Sequence, residues 1–360
     1  MSLPSTMKAM VTMGHGDLDQ MVFHEDWPRP EPAADEVLIR VGACGLNNTD
    51  VNTRSGWYSK AVTEATTGGA FEEVGQEDPT WGGSPISFPR IQGADVCGEV
   101  VAVGSGVDDA RIGERVITDN WLRDPDDLND INRTGYFGSE RDGGFAEYTT
   151  IPSRNALPIQ SDLSDAELAT FSCSYSTAEG MLTRAAVTSS DTVLVPGASG
   201  GVGGAVVQLA KMRGARVIGL ASEPKHDDVK ALGADLVLPR APEDLRSALG
   251  EEKITVVADI VGGPYWQNVI EILERGGRYT CSGAIAGPMV ELDLRTFYLR
   301  DLTFTGSTVI PHEVMPNLIS YIEAGKIKPA LAADYPLDQL HKAQAAFISK
   351  KHTGNIVVTP

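Results

Sequence analysis

TVLVPGASGGVGGAVVQLAKMRGARVIGLAS, residues 192–222, decides the fold. An apolar run, Thr192–Pro196, leads into a turn, Ala198-Ser199-Gly200-Gly201-Val202-Gly203, and a helical pattern begins at once. The turn is GxGxxG with Ala in its first position. Gly200 lets the backbone come close to a pyrophosphate, and Gly203 lets the helix pack tightly on the strand. The helix start offers free N–H groups and the positive end of its dipole to phosphate. A lone GxGxxG is weak, but here strand, turn, helix and next strand follow in the order the motif requires. The expectation is a dinucleotide site containing Ser199, Gly200, Gly201, Val202 and Gly203.

The end of the second strand bears on which dinucleotide. An NAD site wants an acid about 20 residues after the fingerprint, to accept from the ribose hydroxyls. This chain reads Leu220-Ala221-Ser222-Glu223-Pro224-Lys225, with Ala221 in the acid's place. Ser222 and Lys225 can hold a 2′-phosphate by hydrogen bond and charge. NADPH is therefore expected. NADH remains open through Glu223, and a solvated helix-start lysine is the plain alternative for Lys225.

Working outward, apolar strand cores alternate with helices from residue 160 to beyond 300: RVIGLAS, then KHDDVKALGA; TVVADIVG, then YWQNVIEILERGG; then RYTCSGA. That alternation indicates a parallel sheet covered on both faces, a doubly wound α/β fold. Residues 161–187 read as helical, with Ser164 or Asp165 as cap. Before residue 158 the chain reads differently. EVLIRVGAC, GEVVAVG, ERVIT and FAEYTTI are short strands punctuated by glycines, which suggests a partly closed antiparallel β domain. The tail offers two helices and a last strand. The expected division is 1–158 catalytic, 159–307 dinucleotide-binding and 308–360 returning to the catalytic domain. Two stretches break the pattern: a Gly-, Thr- and Glu-rich insertion at 59–88 and an acidic loop at 119–142. Loops this long in a compact domain are usually functional or mobile. The acidic loop has oxygen donors enough for Ca²⁺, although a solvated acidic loop is the favoured explanation.

The net charge of -19 argues against nucleic acid and against an anionic membrane surface. The four cysteines are widely spaced with no CxxC, so a reducing, cytoplasmic setting is expected. The start, MSLPSTMKAM, has neither the basic segment nor the apolar core of a signal peptide.

GADVCGEVVAVGSGV, GGFAEY, STAEGML, ASGGVG and TGNIVV occur in the order found in medium-chain dehydrogenases/reductases. The chain resembles that superfamily over nearly its whole length. The resemblance implies a GroES-like antiparallel β-barrel catalytic domain split around a Rossmann domain, with the active site in the cleft. Thr177, Val261, Gly283 and Ala284 complete the cofactor set expected here. Zinc members hold their catalytic metal with Cys, His and Cys. This chain has Asn47, Ala94 and Cys173 at those positions, and zinc needs three N, S or carboxylate donors. The lobe at 119–142, where the family's structural zinc would sit, carries no Cys. No metal is expected, and Cys173 reads as a small buried hydrophobe.

GLNNTD and RSGWYS resemble instead the zinc-independent quinone oxidoreductase branch, in which the residues matching Asn47 and Tyr58 line the substrate pocket. Asn47 as a turn cap and Tyr58 as cleft-wall packing are the alternatives. Without a metal, the charge growing on a carbonyl oxygen is left to hydrogen-bond donors. Asn47 N–H₂ and Tyr58 O–H suit a small-molecule acceptor that is already electrophilic, a quinone or an α,β-unsaturated carbonyl. The competing expectations are a zinc-free aldehyde or ketone reductase and a dinucleotide-binding module with little turnover. DLTFTGS, residues 301–307, is the expected sheet edge, and the resemblance implies a homodimer across it.

Overall fold

The computed structural model describes residues 3–71, 74 and 85–360. Six parallel strands form the Rossmann sheet. Their spatial order is Leu236–Pro239, Arg216–Ala221, Thr192–Pro196, Ile254–Asp259, Leu273–Cys281, Thr303–Gly306. Numbered along the chain this is 3-2-1-4-5-6, so the order reverses between Thr192–Pro196 and Ile254–Asp259. A ligand crevice forms at the carboxyl ends of the strands at such a reversal. The central strands have mainly apolar cores because both faces are covered. Val193 and Val195 face the larger core cluster, while Leu194 between them faces a second cluster containing Trp266 and Tyr279.

The other domain is built on Glu36–Gly45, which pairs antiparallel with Asp95–Val103, Tyr148–Pro152 and the C-terminal strand Asn355–Thr359. The C-terminal strand thus rejoins the first domain. One strand, Leu331–Pro336, was not legible in the tail. It lies parallel to Asn355–Thr359, so this sheet is mixed rather than purely antiparallel.

Several local expectations need correcting. The helical reading of 161–187 resolves into two helices, Asp165–Leu168 and Ser172–Arg184. Ser164, not Asp165, caps the first: Glu167 N–H donates to Ser164 Oγ and Ser164 N–H to Glu167. The helix read through YWQNVIEILERGG stops at Glu271, because Leu273 already pairs with Ile254 in the sheet. The strand read as FAEYTTI begins only at Tyr148. The loop at 119–142 contains a short hairpin, Trp121–Leu122 with Gly135–Tyr136. Its acids are taken up locally: Asp124, Asp127 and Asp130 each accept the N–H two residues on.

Candidate active site

The helix Asn48–Ser55 carries one wall of the cleft. Asn47 is its N-cap. Asn47 N–H donates to Asp50 Oδ2 at 2.8 Å, and Asp50 Oδ1 accepts Gly93 N–H at 3.2 Å. Asp50 therefore ties the helix start to the Gly93-Ala94 turn. Across from it, Asp95 Oδ1 accepts both Asn120 Nδ2 and the Cys173 N–H at 2.8 Å. Asn120 also reaches Tyr136 Oη at 3.4 Å. Asp95, Asn120 and Tyr136 are all buried.

Burial dominates the electrostatics. It raises Asp50 and Asp95 each to about 7, against the backbone and amide donors that favour their charged forms. Burial, then the charge of Asp95, pushes the Cys173 thiol far up; the Tyr136 and Thr177 hydroxyls offset part of this. Cys173 is thus no thiolate nucleophile, in keeping with its reading as a small buried side chain. Burial also raises Tyr58, with the Asn52 side chain opposing and Cys173 and Asp50 adding to the rise. A phenol held neutral donates a hydrogen bond but does not supply a base.

Asn47, Tyr58, Cys173 and Thr177 are therefore gathered in one place. Asn47 Nδ2 and Thr49 Oγ1 are buried there with no hydrogen-bond partner among the described residues. The Asn47 side chain lies toward Asp95 and favours its charged form, yet Nδ2 completes no bond to it. Asn47 does occupy a cap position, its side chain and Asp50 forming a capping box that leaves Nδ2 unbonded. A buried, unsatisfied donor costs about 1–3 kcal/mol, which is the expected signature of a site completed by a ligand.

The dinucleotide crevice is equally well formed. A Cβ on Gly203 would stand 2.2 Å from the Gly197 carbonyl, so only glycine permits the helix Gly201–Met212 to pack there. A Cβ on Gly200 would meet only that same carbonyl, at 3.6 Å, which leaves open space before the turn. Gly201 is cradled by Ser174 Oγ and Asn355 Oδ1, themselves hydrogen-bonded at 2.9 Å. Asn355 Nδ2 is buried and unbonded beside them. Ser199 accepts Gly354 N–H at 2.9 Å, so the C-terminal strand closes the turn from the other domain. Val261, Gly283 and Ala284 lie on the neighbouring strand ends, joined by Ala286 N–H to the Val261 carbonyl at 2.8 Å. These residues fit a dinucleotide.

Ser222 and Lys225 sit apart from the Asn47 group, at the outer end of the crevice. Ser222 and Glu223 are exposed. Lys225 is not a solvated lysine, since its Nζ donates to the carbonyls of Lys350 (2.7 Å) and His352 (2.5 Å). Burial, then Lys225, lowers Lys350 to about 7. Residues that sequence reasoning missed are Asp50, Asn120, Tyr136, Ser174 and Asn355. Only a polar residue inside an apolar strand pattern could have flagged any of them.

Residues 33–161 match the alcohol dehydrogenase GroES-like domain, and residues 201–324 match the zinc-binding dehydrogenase family. A solved putative alcohol dehydrogenase from Sinorhizobium meliloti 1021 is 46% identical over 99% of this chain and 98% of its own, with a TM-score of 0.90. The chain belongs to the medium-chain dehydrogenase/reductase superfamily. It is an oxidoreductase of that superfamily, with a GroES-like domain and a Rossmann domain. An acryloyl-coenzyme A reductase of Metallosphaera sedula is 27% identical, over 98% of this chain and all of that protein. An NADPH-dependent alkenal/one oxidoreductase from Arabidopsis thaliana is 29% identical, over all of this chain and 81% of that protein.

The family name raises zinc, and the residues do not fit it. The position of one donor is a methyl, Ala94, and that of another is an amide, Asn47. Among the described residues no group of three or more His, Cys, Asp and Glu is placed to hold a metal ion. Among the same residues no helix is long and apolar enough to cross a membrane.

Proposed function

We propose that this chain uses NADPH to reduce a conjugated acceptor, an α,β-unsaturated carbonyl or a quinone, without a metal at the reacting centre. The observation that carries this reading is the buried, unbonded Asn47 Nδ2, at the start of the helix whose Asp50 and Asn52 act on Tyr58, where zinc relatives would place a ligand. The dinucleotide would supply the hydride; the protein supplies orientation and polarity. Asn47 N–H₂ and the neutral Tyr58 O–H would donate to the acceptor oxygen as its charge grows. Neutral donors stabilise that charge less than a cation would, so an acceptor that spreads it through conjugation is favoured. Ala221 in the acid's place and the Lys225–Lys350 neighbourhood support NADPH over NADH. The Arabidopsis relative, whose name includes NADPH and alkenal/one reduction, supports both parts.

The test is turnover of an enone by Asn47→Ala and Tyr58→Phe, with a metal assay on the purified protein. Each substitution should lower kcat by about 10²–10³. Unchanged turnover in both variants, or stoichiometric zinc, overturns the reading. A second reading, aldehyde or ketone reduction, is favoured by the likeness to the Sinorhizobium protein; a panel of matched enones and ketones separates the two.

One edge of the Rossmann sheet is Thr303–Gly306. Beside it the segment 289–299 exposes Met289, Val290, Leu294, Tyr298 and Leu299, and Phe297 packs on Phe304 at 4.9 Å. An unpaired strand flanked by apolar side chains is self-complementary about a two-fold axis. A homodimer through this edge is part of the proposal, as is a reducing cytosol for the four free thiols.

A further inference from the structure

Tyr58 and the cofactor-facing loop belong to different domains, yet one short segment touches both. It begins at the Tyr58 turn, where Val62 N–H donates to the Ser59 carbonyl at 3.1 Å and the Val62 side chain is buried. Trp57 Nε1 donates to the Glu64 carbonyl at 2.9 Å, folding the segment back toward the end of the helix Asn48–Ser55. Thr66 N–H then crosses to the Rossmann domain and donates to the Ile285 carbonyl at 3.0 Å. Ile285 directly follows Gly283 and Ala284, and its own N–H donates to the Ile260 carbonyl at 3.3 Å. The contact therefore lands on the loop expected to face the nicotinamide.

The far end of the segment is anchored in the first domain. The Gly68 carbonyl accepts from Arg54 Nη2 at 3.2 Å, and a Cβ on Gly68 would lie 2.4 Å from Ile348 Cδ1 of the C-terminal helix. Ala70 N–H donates to Asp17 Oδ1 at 2.8 Å. Arg54 is fully buried and also bonds the Gly16 carbonyl and Gln344 Oε1. Burial lowers its pKa, with Asp17 and Asp19 opposing from a distance. A cation buried on carbonyls rather than on a carboxylate is costly to place. Its partners are two loop carbonyls and the Gln344 side chain of the C-terminal helix, so it secures the Gly68 end of the segment against the first domain.

We propose that residues 61–71 are an interdomain strap. The Thr66–Ile285 bond, with Arg54 as the anchor, ties the Tyr58 turn to the cofactor-facing loop, so that binding the dinucleotide and placing Tyr58 are one event. Thr66 and Arg54 are positioning residues in this scheme. The inference rests on the dinucleotide reading above and is independent of which acceptor is reduced.

The test is fluorescence titration of NADPH and of NADH with the full chain, Thr66→Pro and Thr66→Ser. Proline removes the N–H and serine keeps it. Loss of one hydrogen bond predicts a three- to tenfold weaker Kd for both dinucleotides in Thr66→Pro, about three- to tenfold being one bond's typical worth, with Thr66→Ser restoring the wild-type value. A purely structural cover would lower Tm and leave both Kd values unchanged, which overturns the proposal. Hydrogen exchange on the wild-type protein removes dependence on the folding of a variant. Saturating NADPH should slow exchange in peptides 61–71 and 282–287 together. Slowing in 282–287 alone also overturns the strap. If the wild type binds neither dinucleotide, the cofactor reading itself fails and the strap proposal falls with it, an outcome distinct from the other two.

Discussion

Asp95→Asn tests whether a buried acid at the centre of the site sets the pH dependence of the fold. Asp95 is 1% exposed, and burial is the largest influence on it, raising its pKa to about 7. In the unfolded chain it titrates near 3.9, so the gap is about 3 units, or up to about 4 kcal/mol of linkage. The sign follows from which state binds the proton. A carboxyl whose pKa rises on folding contributes fully below the unfolded value, and that contribution is lost as pH climbs from about 4 to about 7. Asparagine keeps an oxygen to accept from Asn120 and the Cys173 N–H, and it carries no charge at any pH. The variant should therefore gain on the wild type as pH rises from 4 to 8. The gain should be on the order of 1–4 kcal/mol, and Asp50, raised partly by Asp95's charge, is relieved in the variant and contributes in the same direction. Urea unfolding of both proteins at pH 4, 5, 6, 7 and 8 measures it. Asp119, raised by burial to about 6, titrates in both and cancels. A stability difference that stays flat across this range refutes the assignment.

Gly200→Ala and Gly203→Ala should fail differently. The first meets little protein and should keep the wild-type Tm while losing dinucleotide affinity; the second, 2.2 Å from a carbonyl, should cost about 1–3 kcal/mol of stability, and equal behaviour in thermal melts and titrations would contradict the crevice. Lys225→Ala should weaken NADPH by roughly tenfold and leave NADH nearly unchanged, since only the former carries a 2′-phosphate; equal losses in a paired titration would reassign Lys225 to bracing the C-terminal segment. Leu294→Glu with Tyr298→Glu should yield a monomer by sedimentation at micromolar concentration, and a wild-type protein that is already monomeric would remove the proposed two-fold contact.

The Rossmann half was legible because its signals are local. Thr192–Pro196, the glycine turn and Arg216–Ala221 follow one another closely, and both-face burial makes each strand apolar after its first residue. The misreadings arose where a distant partner overrode a local pattern. Leu273 sits in a helical pattern but pairs with Ile254, and Leu331–Pro336 becomes a strand only by lying beside Asn355–Thr359. The part of the insertion at 72–73 and 75–84 lies outside the described residues, so its reading stands on sequence alone.

By itself the sequence determined the nucleotide fold and the loss of the family's metal donors, because each is written in residue types at fixed positions: glycine where a Cβ cannot fit, and an amide and a methyl where ligands would stand. The tertiary structure decided what surrounds those positions. Asp95, Asn120, Tyr136 and Cys173 are scattered along 79 residues and meet only when the barrel closes against the helix Ser172–Arg184. The contact of Thr66 with Ile285 spans the two domains. Proximity of this kind is a property of packing, and no local pattern of side chains encodes it.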